Sequence, residues 1–155
     1  MDLRWEWRRF DELSAGTLYD LLVLRQEVFV VEQRCAYLDA DGFDRVAHHL
    51  LGADTAGRLV ASLRVLPAGT RFAGPSIGRV VVDSRARGRG LGWTLMVEGI
   101  RRARELYPGA PLHLSAQDTL VGFYERLGFT PAGPPHDEDG IPHRNMVLGA
   151  RGTSG

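Results

Sequence analysis

The chain has 155 residues, 44% apolar and 25% charged, with 19 arginines balanced by 19 acidic side chains. That composition fits one globular domain burying roughly 70% of the surface its unfolded chain would expose, and zero net charge supplies no field that would draw the chain to nucleic acid or a membrane surface. The absence of lysine excludes Schiff-base and P-loop lysine chemistry, and the single cysteine, Cys35, excludes an intrachain disulfide and any multi-cysteine metal site.

The charged, alternating start Met1–Arg9 is unlike a signal peptide, and no apolar run approaches the ~20 residues of a membrane helix. The expected location is the cytoplasm. Leu3 to Phe10 alternates apolar and charged residues, a half-buried strand. Leu18, Leu21, Leu22, Arg25, Val28 and Phe29 fall at helical spacing, so a helix is expected over 17–30. The polar stretch 32–45, with Asp39, Asp41 and Asp44, reads as a substrate-side loop or a solvated turn. It lacks the later glutamate and second helix of an EF-hand. His49–Ala53 and Arg58–Leu66 read as a hairpin, and a Pro/Gly loop at 67–75 leads to a buried strand at Ile77–Val82.

Met96, Gly99, Ile100, Ala103 and Tyr107 mark a second helix that Pro108-Gly109 ends. A short strand at Leu112–Ala116 follows. Leu120, Phe123, Tyr124 and Leu127 mark a third helix, closed by Gly128 as a C-cap glycine. Phe129–Ala132 and Asn145–Leu148 read as two last strands around a loop at 133–144. The order β-α-β-β-β-α-β-α-β-β predicts a mixed α/β sheet with helices on both faces. Residues 1–148 form the expected domain and 149–155 a flexible tail.

The segment 83–94, Asp-Ser-Arg-Ala-Arg-Gly-Arg-Gly-Leu-Gly-Trp-Thr, joins the apolar strand to a helix start. Glycines admit close backbone approach, the helix N-terminus offers free amides, and Arg85, Arg87 and Arg89 add charge, which together make an anion site. A Walker loop fails for want of lysine. A dinucleotide fingerprint fails because Trp93 stands where its third glycine belongs. His48-His49 is a weak metal signal, since neighbours on a strand point to opposite faces.

What remains, Arg87-x-x-Gly90-x-Gly92, resembles the acyl-CoA pyrophosphate loop of the GCN5-related N-acetyltransferases. Phe123-Tyr-Glu-Arg-Leu-Gly-Phe129 resembles that superfamily's second conserved block. Arg25–Gln33 with Cys35, Tyr37, Asp39, Asp41 and Asp44, together with Glu138–His143 and Met146, is similar to the ElaA-type bacterial members. Gln117 stands where many members carry Asn. The resemblance implies a single GNAT-type domain whose sheet splays between its fourth and fifth strands. It further implies acetyl-CoA as cofactor, held by Val80, Val81 and Val82 along the pantetheine and by Arg87, Gly88, Arg89, Gly90, Leu91 and Gly92 at the pyrophosphate, with Gln117 and Tyr124 beside it.

Acetyl transfer to an amine needs an oxyanion donor, expected from an amide at about Val81 or Val82, and an acid for the leaving thiolate, for which Tyr124 is the candidate. Base candidates are His143 and Glu32, with Glu27, Glu138 and Asp139 in segments implied to lie at the same end. Glu32, Gln33 and Glu138 are the expected acceptor-binding residues. The partner is then a small-molecule or peptide amine, and family members often form homodimers. The competing reading is a non-catalytic acyl-CoA sensor or partner-binding domain that keeps the cofactor cleft.

Overall fold

A computed structural model describes residues 2–151. Residues 152–155, most of the expected tail, lie outside the described residues. The strands are β1 (Arg4–Arg9), β2 (His48–Ala53), β3 (Leu59–Leu66), β4 (Ser76–Val82), β5 (Leu112–Gln117), β6 (Thr130–Pro131), β7 (His136–Glu138) and β8 (Ile141–Leu148). They form one sheet in the order β1-β2-β3-β4-β5-β8-β6, with β7 added on β8. All pairs are antiparallel except β4–β5, which is parallel and joined at a single register pair, Ser76 opposite His113. The sheet therefore splays between its fourth and fifth strands.

The helices are α1 (Ala15–Gln26), α2 (Leu91–Leu106) and α3 (Val121–Arg126). Ser14 caps α1, its hydroxyl accepting from the Thr17 amide at 3.1 Å. Opposite faces of β4 receive the two longer helices. Val81 packs with Leu24 and Val28 of the α1 segment, whereas Ile77, Val80 and Val82 join Leu95, Met96 and Ile100 of α2. Among the described residues no helix is long and apolar enough to cross a membrane.

Two segments depart from the expected pattern. The helix expected over 17–30 is α-helical only to Gln26 and continues as a π-helical turn over Glu27–Glu32. The Gln33 and Cys35 amides bond to carbonyls five residues back, Val28 at 3.1 Å and Val30 at 3.0 Å. The loop expected at 133–144 contains a hairpin, β7–β8, turning through Asp139 (φ 53) and Gly140 (φ 80). An Asp-Gly pair with two positive φ values is what a two-residue hairpin of this twist requires.

Candidate active site

Beyond the Ser76–His113 joint, β4 pairs only with β3 and β5 only with β8. The wedge between them is a cleft of about 160 Å³. It gathers Gln33, Val80, Gln117, Tyr124, Glu138 and His143, which lie as far as 110 residues apart in sequence (143 − 33). Val81 instead turns its side chain to the α1 core, 2% exposed.

Tyr124 reaches the cleft from α3, its ring edge-on to Phe123 and Phe129 with centroids 5.1 and 6.0 Å apart. Burial pushes its phenol up to about 12, with no hydrogen bond offsetting the effect. The hydroxyl therefore keeps its proton through the neutral range and is a donor, not a base.

His143 stands on β8 opposite Gln117. Its Nδ1 lies 2.7 Å from the Ile141 carbonyl oxygen. A carbonyl only accepts, so Nδ1 carries the proton and the neutral ring keeps its Nε2 lone pair. Glu138 is held by three donors: the Ser115 hydroxyl, His136 Nε2 at 2.8 Å and Arg71 Nη2 at 3.2 Å. Burial alone would raise its pKa, but hydrogen bonds from Ser115, His136 and Arg71, together with His143 in its protonated form, bring it down to about 2. A carboxylate so well satisfied is a weak base; it fixes the β7–β8 hairpin and the Ser115 hydroxyl. Glu27 does not line the cleft, while Asp139 lies at its rim.

Glu32 is placed differently from Gln33. It lies outside the cleft lining and pairs with Arg87 Nη1 at 2.8 Å, both side chains about 40% exposed. Arg87 also donates from Nε to the Val82 carbonyl at 3.2 Å. Arg85 is bound to the buried Asp83, which also receives Arg58 Nη2 at 3.1 Å. Among the described residues Arg89 makes no ion pair.

The turn itself is open. Gly88 (φ 82) and Gly90 (φ 72) adopt conformations costly for other residues, and a Cβ on either would meet nothing within 4 Å. Gly90 is the N-cap of α2 and no side chain caps that helix, so its first-turn amides have no side-chain acceptor. A diphosphate fits this arrangement, and an amide-bearing arm fits the unpaired inner edges of β4 and β5.

Beneath the cleft runs a buried ionic cluster that local sequence patterns did not reveal. Arg25 of α1 donates to Asp39 (2.7 Å) and Asp44 (2.7 and 3.1 Å); Arg64 of β3 donates to Asp41 (2.6 and 2.8 Å) and Asp44 (3.0 Å). Arg25 and Arg64 are each 1% exposed. Burial would raise the carboxyls of Asp41 and Asp44, yet the facing guanidinium groups hold both below the ordinary range. The acidic run at 39–44 is thus clamped by buried arginines, with Asp39 lining the cleft, and is not a solvated turn. His49 Nε2 donates to the Asp44 carbonyl at 3.0 Å, while His48 stacks on Trp7.

Residues 28–150 match the family model described as an acetyltransferase (GNAT) domain. The chain belongs to the GNAT family of acetyltransferases. It is 43% identical to a UPF0039 protein of Synechocystis sp. over 96% of each chain, and 40% identical to protein ElaA of Escherichia coli K12 over 94% of this chain and 95% of that one. The crystal structure of an acyl-CoA N-acyltransferase from Pseudomonas aeruginosa, 42% identical, superposes with a TM-score of 0.90 over 95% of this chain and 99% of the other. That of Escherichia coli ElaA, 38% identical, gives 0.88 with the same coverage.

Proposed function

We propose that this chain moves an acetyl group from acetyl-CoA to a primary amine of a small molecule or peptide, by direct attack within a ternary complex in the cytoplasm. The observation that carries the reading is the convergence, in one splayed cleft, of a proton-bearing phenol on Tyr124 and a free imidazole lone pair on His143. Acetyl-CoA supplies an activated thioester; the amine nitrogen bonds to its carbonyl carbon as the carbon–sulfur bond breaks.

Around that exchange each residue has a separate task. The turn Arg87–Gly92 holds the diphosphate through its amides, and Val80 to Val82 offer backbone partners to the amide arm. An amide near Val81 or Val82 faces the charge that develops on the carbonyl oxygen. Gln117 and Gln33 offer neutral hydrogen bonds at the two sides of the cleft. His143 Nε2 takes the proton that an ammonium must lose before it can attack. Tyr124 donates to the departing sulfur. Glu138, locked as an anion, orients the hairpin that presents His143. Glu32 acts on Arg87 and not on the acceptor.

Thiol release from acetyl-CoA across a panel of amines tests the reading. Turnover with an amine, and initial-rate lines that intersect when both substrates vary, are expected. Parallel lines would indicate an acetylated enzyme and contradict direct attack. Tight coenzyme A binding with no thiol release for any amine would favour the non-catalytic sensor.

A further inference from the structure

In β4, Arg79 has φ 50, one of three non-glycine residues with positive φ among those described. It sits at a register shift. Between the pairs Arg64–Gly78 and Ser62–Val81, β3 advances two residues and β4 three, so β4 carries an extra residue at this point. Such a bulge reverses the inward–outward alternation, which is why Ile77 and Val80 share the α2 face. The first bulge residue in this left-handed conformation is ordinarily glycine. Gly78 is the adjacent residue, yet an arginine occupies the strained position. Strain of this kind persists where surrounding contacts over-determine it.

Those contacts come from the acceptor side of the cleft. Arg79 Nε lies 2.7 Å from Asp39 Oδ1, an ion pair without an aligned hydrogen bond, while Nη2 donates to the Asp39 carbonyl at 3.0 Å and to Asp41 Oδ2 at 3.2 Å. The Asp39 side chain is 5% exposed and also bound by Arg25, and Asp41 is also bound by Arg64. Asp39, Arg79 and Val80 all line the cleft. One side chain therefore ties the loop at 33–44 to the point where β4 leaves β5.

We propose that Arg79 is a positioning residue: its clasp on Asp39 and Asp41 holds the β4 bulge in the register that presents the Val80–Val82 backbone to the acyl donor. The clasp acts through the strand and touches no reacting atom. The proposal rests on the acyl-transfer reading for its kinetic consequence but not for its structural one.

Arg79→Gly separates the two contributions, since glycine adopts the same φ without strain while removing the clasp. Arg79→Ala loses the clasp and keeps the strain, so it melts about 3 °C below Arg79→Gly. In Arg79→Gly, amide hydrogen exchange over Gly78–Val82 rises about tenfold or more. Thiol release from acetyl-CoA with the best amine of the panel falls about 10- to 100-fold. Coenzyme A affinity by calorimetry falls by less than turnover does, because the diphosphate turn lies outside the clasp. Asp39→Asn, which leaves φ untouched, moves exchange and turnover in the same direction, and Arg79→Lys recovers part of both. Wild-type exchange and turnover in Arg79→Gly overturn the proposal. If the unaltered chain releases no thiol with any amine, the transferase reading fails while the exchange result still decides the clasp.

Discussion

Removing the Tyr124 hydroxyl should separate activity from stability. The phenol is 6% exposed and its raised pKa has burial as its one cause, so no intramolecular hydrogen bond is lost in Tyr124→Phe. The fold should be unchanged or slightly firmer, within about 1 kcal/mol, which is roughly 3 °C for a chain of this size. The kinetic magnitude follows from the same pKa. Complete transfer from a phenol near 12 to a thiolate of pKa about 8.5 runs uphill by about 5 kcal/mol. The contribution is therefore that of a charge-assisted hydrogen bond to the developing thiolate, about 1.5–3 kcal/mol, equivalent to a 10- to 150-fold fall in kcat. Stopped assays of thiol release at saturating acetyl-CoA give kcat, and calorimetry gives coenzyme A affinity, expected to stay within about threefold. Unchanged kcat, or a loss matched by equally weakened cofactor binding, would refute the donor role.

Three further outcomes follow from the geometry. Asp44→Asn leaves Arg25 and Arg64 short of a shared buried carboxylate, so about 3 kcal/mol, or roughly 6–12 °C in Tm, should be lost; the exposed Asp11→Asn should cost less than about 0.5 kcal/mol. Equal small losses in thermal melts would contradict the clamp. Glu138 falls from 4.5 to about 2 on folding, about 3 kcal/mol before screening and about 1–2 after allowing for its partial exposure. Because the folded value is the lower one, this stability is present above pH 4.5 and lost as the pH falls toward 2. The gap in Tm between the wild type and Glu138→Gln should thus narrow below pH 4.5, and a constant gap from pH 7 to 3 would count against the hydrogen bonds described. Gly90→Ala places a methyl in open space at φ 72, costing about 1 kcal/mol of stability and at least about tenfold in coenzyme A affinity. Wild-type calorimetry for that variant would move the diphosphate elsewhere.

The elements whose patterns are local were legible in the sequence. The turn at 83–92 and the helix carrying Tyr124 are contiguous motifs, the alternation of β1 marks the half-buried Trp5 and Trp7 that pack on the core, and the spacing of α2 reports its own buried face. What escaped is long-range. Arg25 sits among leucines at helical spacing, and nothing in that spacing says that its charge is met by Asp39 and Asp44, 14 and 19 residues away. Nor does Arg64 disclose itself inside a strand whose other residues are apolar or small. The β7–β8 hairpin did carry a local signal, the Asp139-Gly140 pair, but β7 has three polar residues and no alternation of its own. Its pairing is set by β8 and by the contacts of Glu138 with Ser115, His136 and Arg71. The π-helical turn ending at Glu32 is likewise not written in the local spacing, and at its end Gln33 lines the cleft while the adjacent Glu32 turns to Arg87.

Mass spectrometry of a reaction containing the chain, acetyl-CoA and a reactive amine from the panel tests the central claim most directly. The account predicts one acetylated amine for each free thiol formed, with no acetyl group retained on the protein. A chain that binds coenzyme A yet forms neither thiol nor acetylated amine with any acceptor would contradict it.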